Sequence, residues 1–198
     1  RDRLRSRGLG DVYKRQDAAF IREKVPMTKE EIRHVSICKL HLKSDSVLYD
    51  VGSGTGSIAV EAASLSDDME VYAIEQKENA VQLITQNKEK HGLENIHVIK
   101  AKAPDGMDTL PVPTHAFIGG SGGNLKEIIE VLKAKNPHIR IVINAISMET
   151  ICEIKEILSA YDVKNEDIVQ LQVSRSKQIG HYHLMQAENP VWICSFEF

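Results

Sequence analysis

Residues 46–56 read Ser-Val-Leu-Tyr-Asp-Val-Gly-Ser-Gly-Thr-Gly. The mostly apolar run Val47 to Val51 passes directly into glycine at 52, 54 and 56, and Ser57 to Ala63 continue with helical character. A buried parallel strand that enters a glycine-rich turn and leaves as a helix forms a cradle for a cofactor. Glycine lets bare backbone approach a ligand, and the start of a helix presents unpaired N–H groups. The alternative is a glycine turn that only packs a helix onto a sheet.

The spacing decides which cofactor. A dinucleotide fingerprint, G-x-G-x-x-G, requires a third glycine where Ser57 stands, and Ser57 and Asp50 together disfavour an NAD-dependent oxidoreductase. The pattern present, D-x-G-x-G-x-G beginning at Asp50, resembles motif I of the class I S-adenosylmethionine (SAM) methyltransferases. That resemblance implies that Asp50 sits near the methionine end of the cofactor. It also implies a second acid, at the tip of the next strand, for the two ribose hydroxyls. Glu75, which closes Val71-Tyr72-Ala73-Ile74-Glu75 nineteen residues after Gly56, occupies that place.

Upstream, Thr28 and Glu31 have the spacing of a capping box, and Ile32, Val35, Ile37, Cys38 and Leu40 follow as an apolar helical face. Downstream, a helix is predicted from Ser57 to about Leu65, a strand over Glu70–Glu75, and a helix over Glu78–His91. That second helix has Ala80, Leu83, Ile84 and Asn87 on one side and Gly92 as its stop. Strands Asn95–Lys100, His115–Ile118 and Ile139–Ala145, a helix over Leu125–Lys135, and a helix to about Tyr161 after Ile146-Ser147-Met148-Glu149 complete five βα units. Ile168–Ser174 and Val191–Phe198 have no helix between them, so they are predicted to be antiparallel. The expected fold is α/β and Rossmann-like: a seven-stranded, mostly parallel sheet with a C-terminal antiparallel hairpin and helices on both faces.

Composition fits one soluble α/β domain: 198 residues, 42% hydrophobic and 27% charged. No apolar run approaches the ~18 residues of a membrane span, and no signal-peptide pattern is visible. Cys38, Cys152 and Cys194 are far apart and odd in number, so buried thiols in a reducing cytoplasm are expected, with neither a zinc site nor a disulfide framework. Residues 1–16 carry six Lys/Arg against two Asp and show no period, and read as a non-native or disordered leader, with 17–198 forming a single methyltransferase domain. Their charge of +4 leaves −7 to the rest of a chain whose total is −3. An acidic body without an aromatic-studded basic patch argues against nucleic acid as a partner.

Two further groups could carry chemistry. Gly119, Gly120, Ser121, Gly122, Gly123 and Asn124 follow a strand and open a helix, exposing consecutive N–H groups that suit carboxylates, unless they are only a flexible connection. Arg175 and Lys177, with His181 and His183, are placed to contact substrate anions or to be solvated. The two histidines could also ligate a metal, but no third ligand is evident and no metal site is expected. Asn189-Pro190 resembles the Asn-Pro-Pro-Tyr of amino-group methyltransferases, but it lies near the chain's end and not after the fourth strand.

Longer stretches are more specific. F-I-R-E-K-V-P-M-T-K-E-E-I-R at 20–33, Y-D-V-G-S-G-T-G-S-I-A-V-E-A-A at 49–63, F-I-G-G-S-G-G-N-L-K-E-I at 117–128 and N-A-I-S-M-E-T at 144–150 resemble one family. So does S-R-S-K-Q-I-G-H-Y-H-L-M-Q-A-E-N-P-V at 174–191. It is the decarboxylating precorrin-6B or cobalt-precorrin-6B methyltransferase family of cobalamin biosynthesis. The resemblance implies methylation of carbon 15 of a corrinoid polycarboxylate macrocycle by SAM, with loss of carbon dioxide from the ring C acetate. It implies cofactor contacts at Thr28, Asp50, Gly52, Ser53, Gly54, Thr55, Gly56, Glu75 and Ala103. It further implies a homotetramer and, in some members, a carbon-5 methyltransferase as fusion or partner. Competing readings are a class I methyltransferase acting on another small molecule or RNA, and a non-catalytic SAM-binding subunit.

Overall fold

Seven strands form one sheet in the order Ile96–Lys100, Glu70–Glu75, Val47–Val51, His115–Ile118, Arg140–Ala145, Val191–Glu197 and Lys164–Leu171. The structure is a computed structural model that describes residues 16–198. The expected leader lies, apart from Gln16, outside the described residues. Parallel strands are β1 (Val47–Val51), β2 (Glu70–Glu75), β3 (Ile96–Lys100), β4 (His115–Ile118) and β5 (Arg140–Ala145). Strands β9 (Val191–Glu197) and β6 (Lys164–Leu171) close the order, with β9 antiparallel to both β5 and β6. This is the expected Rossmann-like, seven-stranded and mostly parallel sheet. The expected bounds of β2 and β4, and of helix Leu125–Lys135, coincide with the observed ones.

The central strands are apolar on both sides, so successive residues feed two separate cores. Leu48, Val71, Ala73, Phe117 and Val142 meet helices α1 (Glu30–Leu40), α2 (Ser57–Ala63) and α3 (Glu78–His91) on one face. Tyr49, Ile74, Ala116, Ile118, Ile141 and Ile143 meet α4 (Leu125–Lys135) and α5 (Met148–Ala160) on the other. On α4, Leu125, Ile128, Ile129 and Leu132 are all fully buried, the i, i+3, i+4, i+7 stripe of a helix lying on a sheet. On α3, Ala80, Leu83, Ile84 and Asn87 are buried as expected, and Gly92 caps the helix in the left-handed conformation.

Three expectations are corrected. The Thr28–Glu31 capping box does not form: α1 starts after Lys29 with no side-chain cap, and Glu31 pairs instead with Arg175. Only Cys194 is a buried thiol; Cys38 and Cys152 are exposed, because α1 turns Ile32, Arg33, Ser36 and Leu40 inward and leaves Cys38 outside. The strand predicted at Ile168–Ser174 ends at Leu171, and the chain then makes a separate two-stranded hairpin, β7 (Ser174–Ile179) with β8 (Tyr182–Ala187). Every residue of that hairpin is exposed, so it carries no alternating apolar signal to read.

Leu132 lies in a core remote from the strand ends where ligands bind. Leu132→Ala is expected to lower stability by about 2–5 kcal/mol, read as a lower denaturant midpoint at unchanged slope.

Candidate functional site

Strands β1 and β4 are neighbours, yet the helices after them pack on opposite faces of the sheet. A crevice therefore opens beyond their carboxyl ends, where ligands of such sheets bind. Both glycine-rich loops border it. Gly52 has φ +69°, and a Cβ there would lie 2.4 Å from the carbonyl oxygen of Gly120, so no other residue fits between the two loops. The turn is fixed by the Gly52 and Ser53 N–H groups, which both donate to the Ile74 carbonyl at 3.0 and 3.2 Å.

Asp50 lies behind this turn, fully buried. Its Oδ2 accepts from Ser53 Oγ at 2.6 Å and from the Ala59 N–H at 3.1 Å, while its Oδ1 has no protein partner. Burial pushes its carboxyl up to about 7; the two hydrogen bonds oppose that shift and the neighbouring Glu75 charge adds to it. Glu75 is aimed into the crevice by its own turn: Oε1 accepts from the Gln76 and Lys77 N–H groups at 2.9 Å each, and Oε2 from the Gly54 N–H at 3.0 Å. A carboxylate has about four acceptor sites, so one on Oε2 remains for a ligand hydroxyl.

The crevice holds a cleft of about 610 Å³. Of the expected cofactor residues, Thr28, Gly52, Ser53, Gly54, Glu75 and Ala103 line it, while Asp50, Thr55 and Gly56 stand behind the turn. Of the second loop, Gly119, Gly120, Ser121 and Gly122 line it. Gly123 and Asn124 do not; the Asn124 side-chain amide donates to the Ala103 carbonyl at 3.0 Å and ties the loop to the segment after β3. Arg175, Lys177, His181 and His183 do not line the cleft either. Arg175 is engaged by three carboxylates, Glu31 at 2.6 Å, Glu188 at 3.1 Å and Glu30 at 4.0 Å. The other three lie on the exposed β7–β8 hairpin, and no group of His, Cys, Asp and Glu among the described residues could hold a metal.

One wall was not legible as such. Residues 24–29 run across the front of the cleft as a strap, and a Cβ on Gly54 would lie 3.0 Å from the Pro26 carbonyl oxygen. Two buried polar side chains hold the strap down. Asn87 Oδ1 accepts from the Ile21 N–H, and its Nδ2 donates to the carbonyls of Ile21 and Thr55, all at 2.8 Å. One side chain thus ties Ile21, just before the strap, to the glycine turn. Arg33, fully buried under the Phe20 ring, donates to the Thr28 carbonyl at 2.6 Å and pairs with buried Glu61 at 2.7 Å and with Asp17 at 3.1 Å. A polar residue on the otherwise apolar face of α3 was the available signal for Asn87. Arg33 gave none.

Asn87→Ala leaves two carbonyls and one N–H, of Ile21 and of the turn, without partners, at about 1–3 kcal/mol for each that stays buried. Limited proteolysis with mass readout should therefore show faster cleavage within residues 20–29, and unchanged cleavage would mean that the strap is held elsewhere.

The fit to a SAM-like cofactor rests on three features: the Asp50 oxygen without a partner, a turn that only glycine can form, and Glu75 at the adjoining strand tip. Comparison with known proteins agrees with it. Residues 18–197 match the family model described as a precorrin methyltransferase domain. A Methanocaldococcus jannaschii protein named "Probable cobalt-precorrin-6B C(15)-methyltransferase (decarboxylating)" is 40% identical over 91% of this chain and 96% of its own. The Salmonella typhimurium "Cobalt-precorrin-6B C(15)-methyltransferase (decarboxylating)" is 35% identical over 90% and 93%. The crystal structure titled precorrin-6y C5,15-methyltransferase from Geobacter metallireducens superposes with a TM-score of 0.86 at 32% identity, over 92% of this chain and 96% of that one. This chain belongs to the precorrin methyltransferase family.

Proposed function

We propose that this protein methylates carbon 15 of cobalt-precorrin-6B, or of its metal-free counterpart, with SAM, and that the ring C acetate loses its carboxyl group as carbon dioxide. The observation that carries the reading is the meeting of Asp50, Glu75 and both glycine loops at one crevice in a chain of this family. SAM, when bound, supplies a methyl group already activated on a sulfonium. The protein's part is then mainly positioning and water exclusion, which needs no nucleophilic triad or resident metal.

Each wall has a task in this reading. The free acceptor site of Glu75 takes a ribose hydroxyl, the Gly52–Gly54 turn lets the methionine part lie against backbone, and the strap covers it. Asp50 sets a negative charge behind the turn, opposite a cofactor that carries positive sulfonium and ammonium groups. The substrate is a polycarboxylate and the chain's formal charge is −3, but the cleft departs from that balance. Among the described residues, Lys24, Lys29, Lys77 and Lys102 line it with two acids, Glu75 and Glu188, and Lys29 is paired with Asp17 at 3.8 Å. Glu75 is held by backbone N–H groups, and Glu188 by Arg175. Positive charge is left over at the cleft, together with the loop amides that follow Gly119, whose own N–H is taken by the Val51 carbonyl at 2.9 Å, to receive carboxylates. No helix among the described residues is long and apolar enough to cross a membrane. The reading also carries a homotetramer, which the mass in solution tests, and a carbon-5 methyltransferase as a possible working partner.

The deciding experiment incubates the protein with SAM and the macrocycle and reads the product mass. Gain of a methyl with loss of carbon dioxide supports the reading; SAM binding with an unaltered macrocycle rejects the substrate and leaves a SAM-binding subunit or another small-molecule methyltransferase.

Asp50 makes cofactor binding pH-dependent with a defined sign. Its folded value of about 7 lies above the ordinary 3.8, so between those values the native state holds the extra proton and stability falls as pH rises. A cationic cofactor favours the ionised carboxylate and draws that proton off. SAM affinity should therefore tighten from about pH 6 to about pH 8, with proton release seen by calorimetry in buffers of different ionisation enthalpy. Asp50→Asn should flatten the profile and weaken binding at the upper end.

A further inference from the structure

Strand β5 ends at Ala145, which is buried, yet the next residue, Ile146, is 70% exposed and lines the cleft. Ser147 then caps α5, its Oγ accepting from the Thr150 N–H at 3.2 Å, and Met148, the first residue of that helix, is 69% exposed. Met148 shares a helix face with exposed Lys155, seven residues on, so the amphipathic pattern of α5 does not call for an apolar group there. Two large apolar side chains therefore stand in solvent, Ile146 in the cleft wall and Met148 two residues beyond it. They are separate from the apolar residues Ile179, Tyr182, Leu184 and Met185 of the β7–β8 hairpin, which do not line the cleft.

The platform that carries them is rigid. Asn144, one residue before the end of β5, interlocks with Ser36 of α1: Nδ2 donates to Oγ at 2.9 Å, and Oγ lies 3.1 Å from Oδ1. Ala145 is paired in register with Trp192 of β9. The rest of the cleft offers the complement. Val173 and Val191 add apolar lining, and Gly119, Gly120 and Gly122 add backbone without side chains. An apolar shelf, a loop stripped of side chains and the cleft lysines Lys24, Lys77 and Lys102 together suit a flat ligand with apolar faces and anionic edges.

We propose that Ile146 and Met148 form the shelf against which an apolar face of the macrocycle packs, and that they determine substrate affinity without touching the cofactor. The inference rests on the preceding reading and adds specificity-determining residues to it. Their position past β5 places them away from the Glu75 and Gly54 end, so substrate and cofactor binding should separate on mutation.

The test uses the full chain. The Ile146→Ser, Met148→Ser variant should raise KM for cobalt-precorrin-6B roughly tenfold, and should weaken equilibrium binding of the macrocycle to match. Its dissociation constant for SAM, its circular dichroism and its mass in solution should stay at the wild-type values, while Ile146→Leu, Met148→Leu should retain affinity. Unchanged KM in the serine variant overturns the proposal. So does a rise in KM that accompanies a change of mass, because the two side chains would then belong to an interface between copies. If the wild type binds SAM and leaves the macrocycle unaltered, the preceding reading fails, a result distinct from wild-type turnover with an insensitive serine variant.

Discussion

The crevice exists because two adjacent parallel strands, β1 and β4, send their helices to opposite faces of the sheet. Right-handed crossovers leave that arrangement little freedom once the strand order is set. The split parts the chain above the strand ends and strips cover from the backbone there. Both loops must then cross the gap at close range, and Gly52 against Gly120 is where they nearly touch. Every other functional feature is arranged about this point: Asp50 behind it, Glu75 beside it and the strap in front.

Much of this was legible because the signals were local. The run into Gly52 marks β1, Glu75 is read from its place at a strand tip, and Gly119–Gly122 from their density after β4. What escaped depended on partners distant in sequence. Arg33 meets Glu61 across 28 residues, and Asn87 meets Ile21 across 66, distances over which no periodicity operates. The hairpin of β7 and β8 escaped for a different reason: neither of its faces is buried, so polar and apolar residues do not alternate along it. Arg175 and its neighbours were read as substrate contacts from position alone, and a sequence gives no sign of the three glutamates that surround Arg175.

The site stores its cost in buried polar groups. Arg33 and Glu61, both withdrawn from water, carry a desolvation penalty that their mutual attraction and added hydrogen bonds must offset. An apolar pair would pack as well and hold nothing in particular. The charged pair accepts only one placement of the Thr28 carbonyl, and so fixes the wall of a cleft where a small displacement matters.

The strap separates foldedness from competence. Together with the residues leading into it, it contributes Phe20 to the core and covers Arg33, while the sheet with its covering helices is built from residues after it. A chain cut back to residue 29 would keep every strand and every helix longer than one turn, and would look native by circular dichroism. It would nonetheless lack one side of its cofactor cleft. Nicking near the N-terminus would accordingly open one side of the cleft and uncover Arg33 while leaving the strands themselves in place, a loss that a probe of secondary structure alone would register weakly.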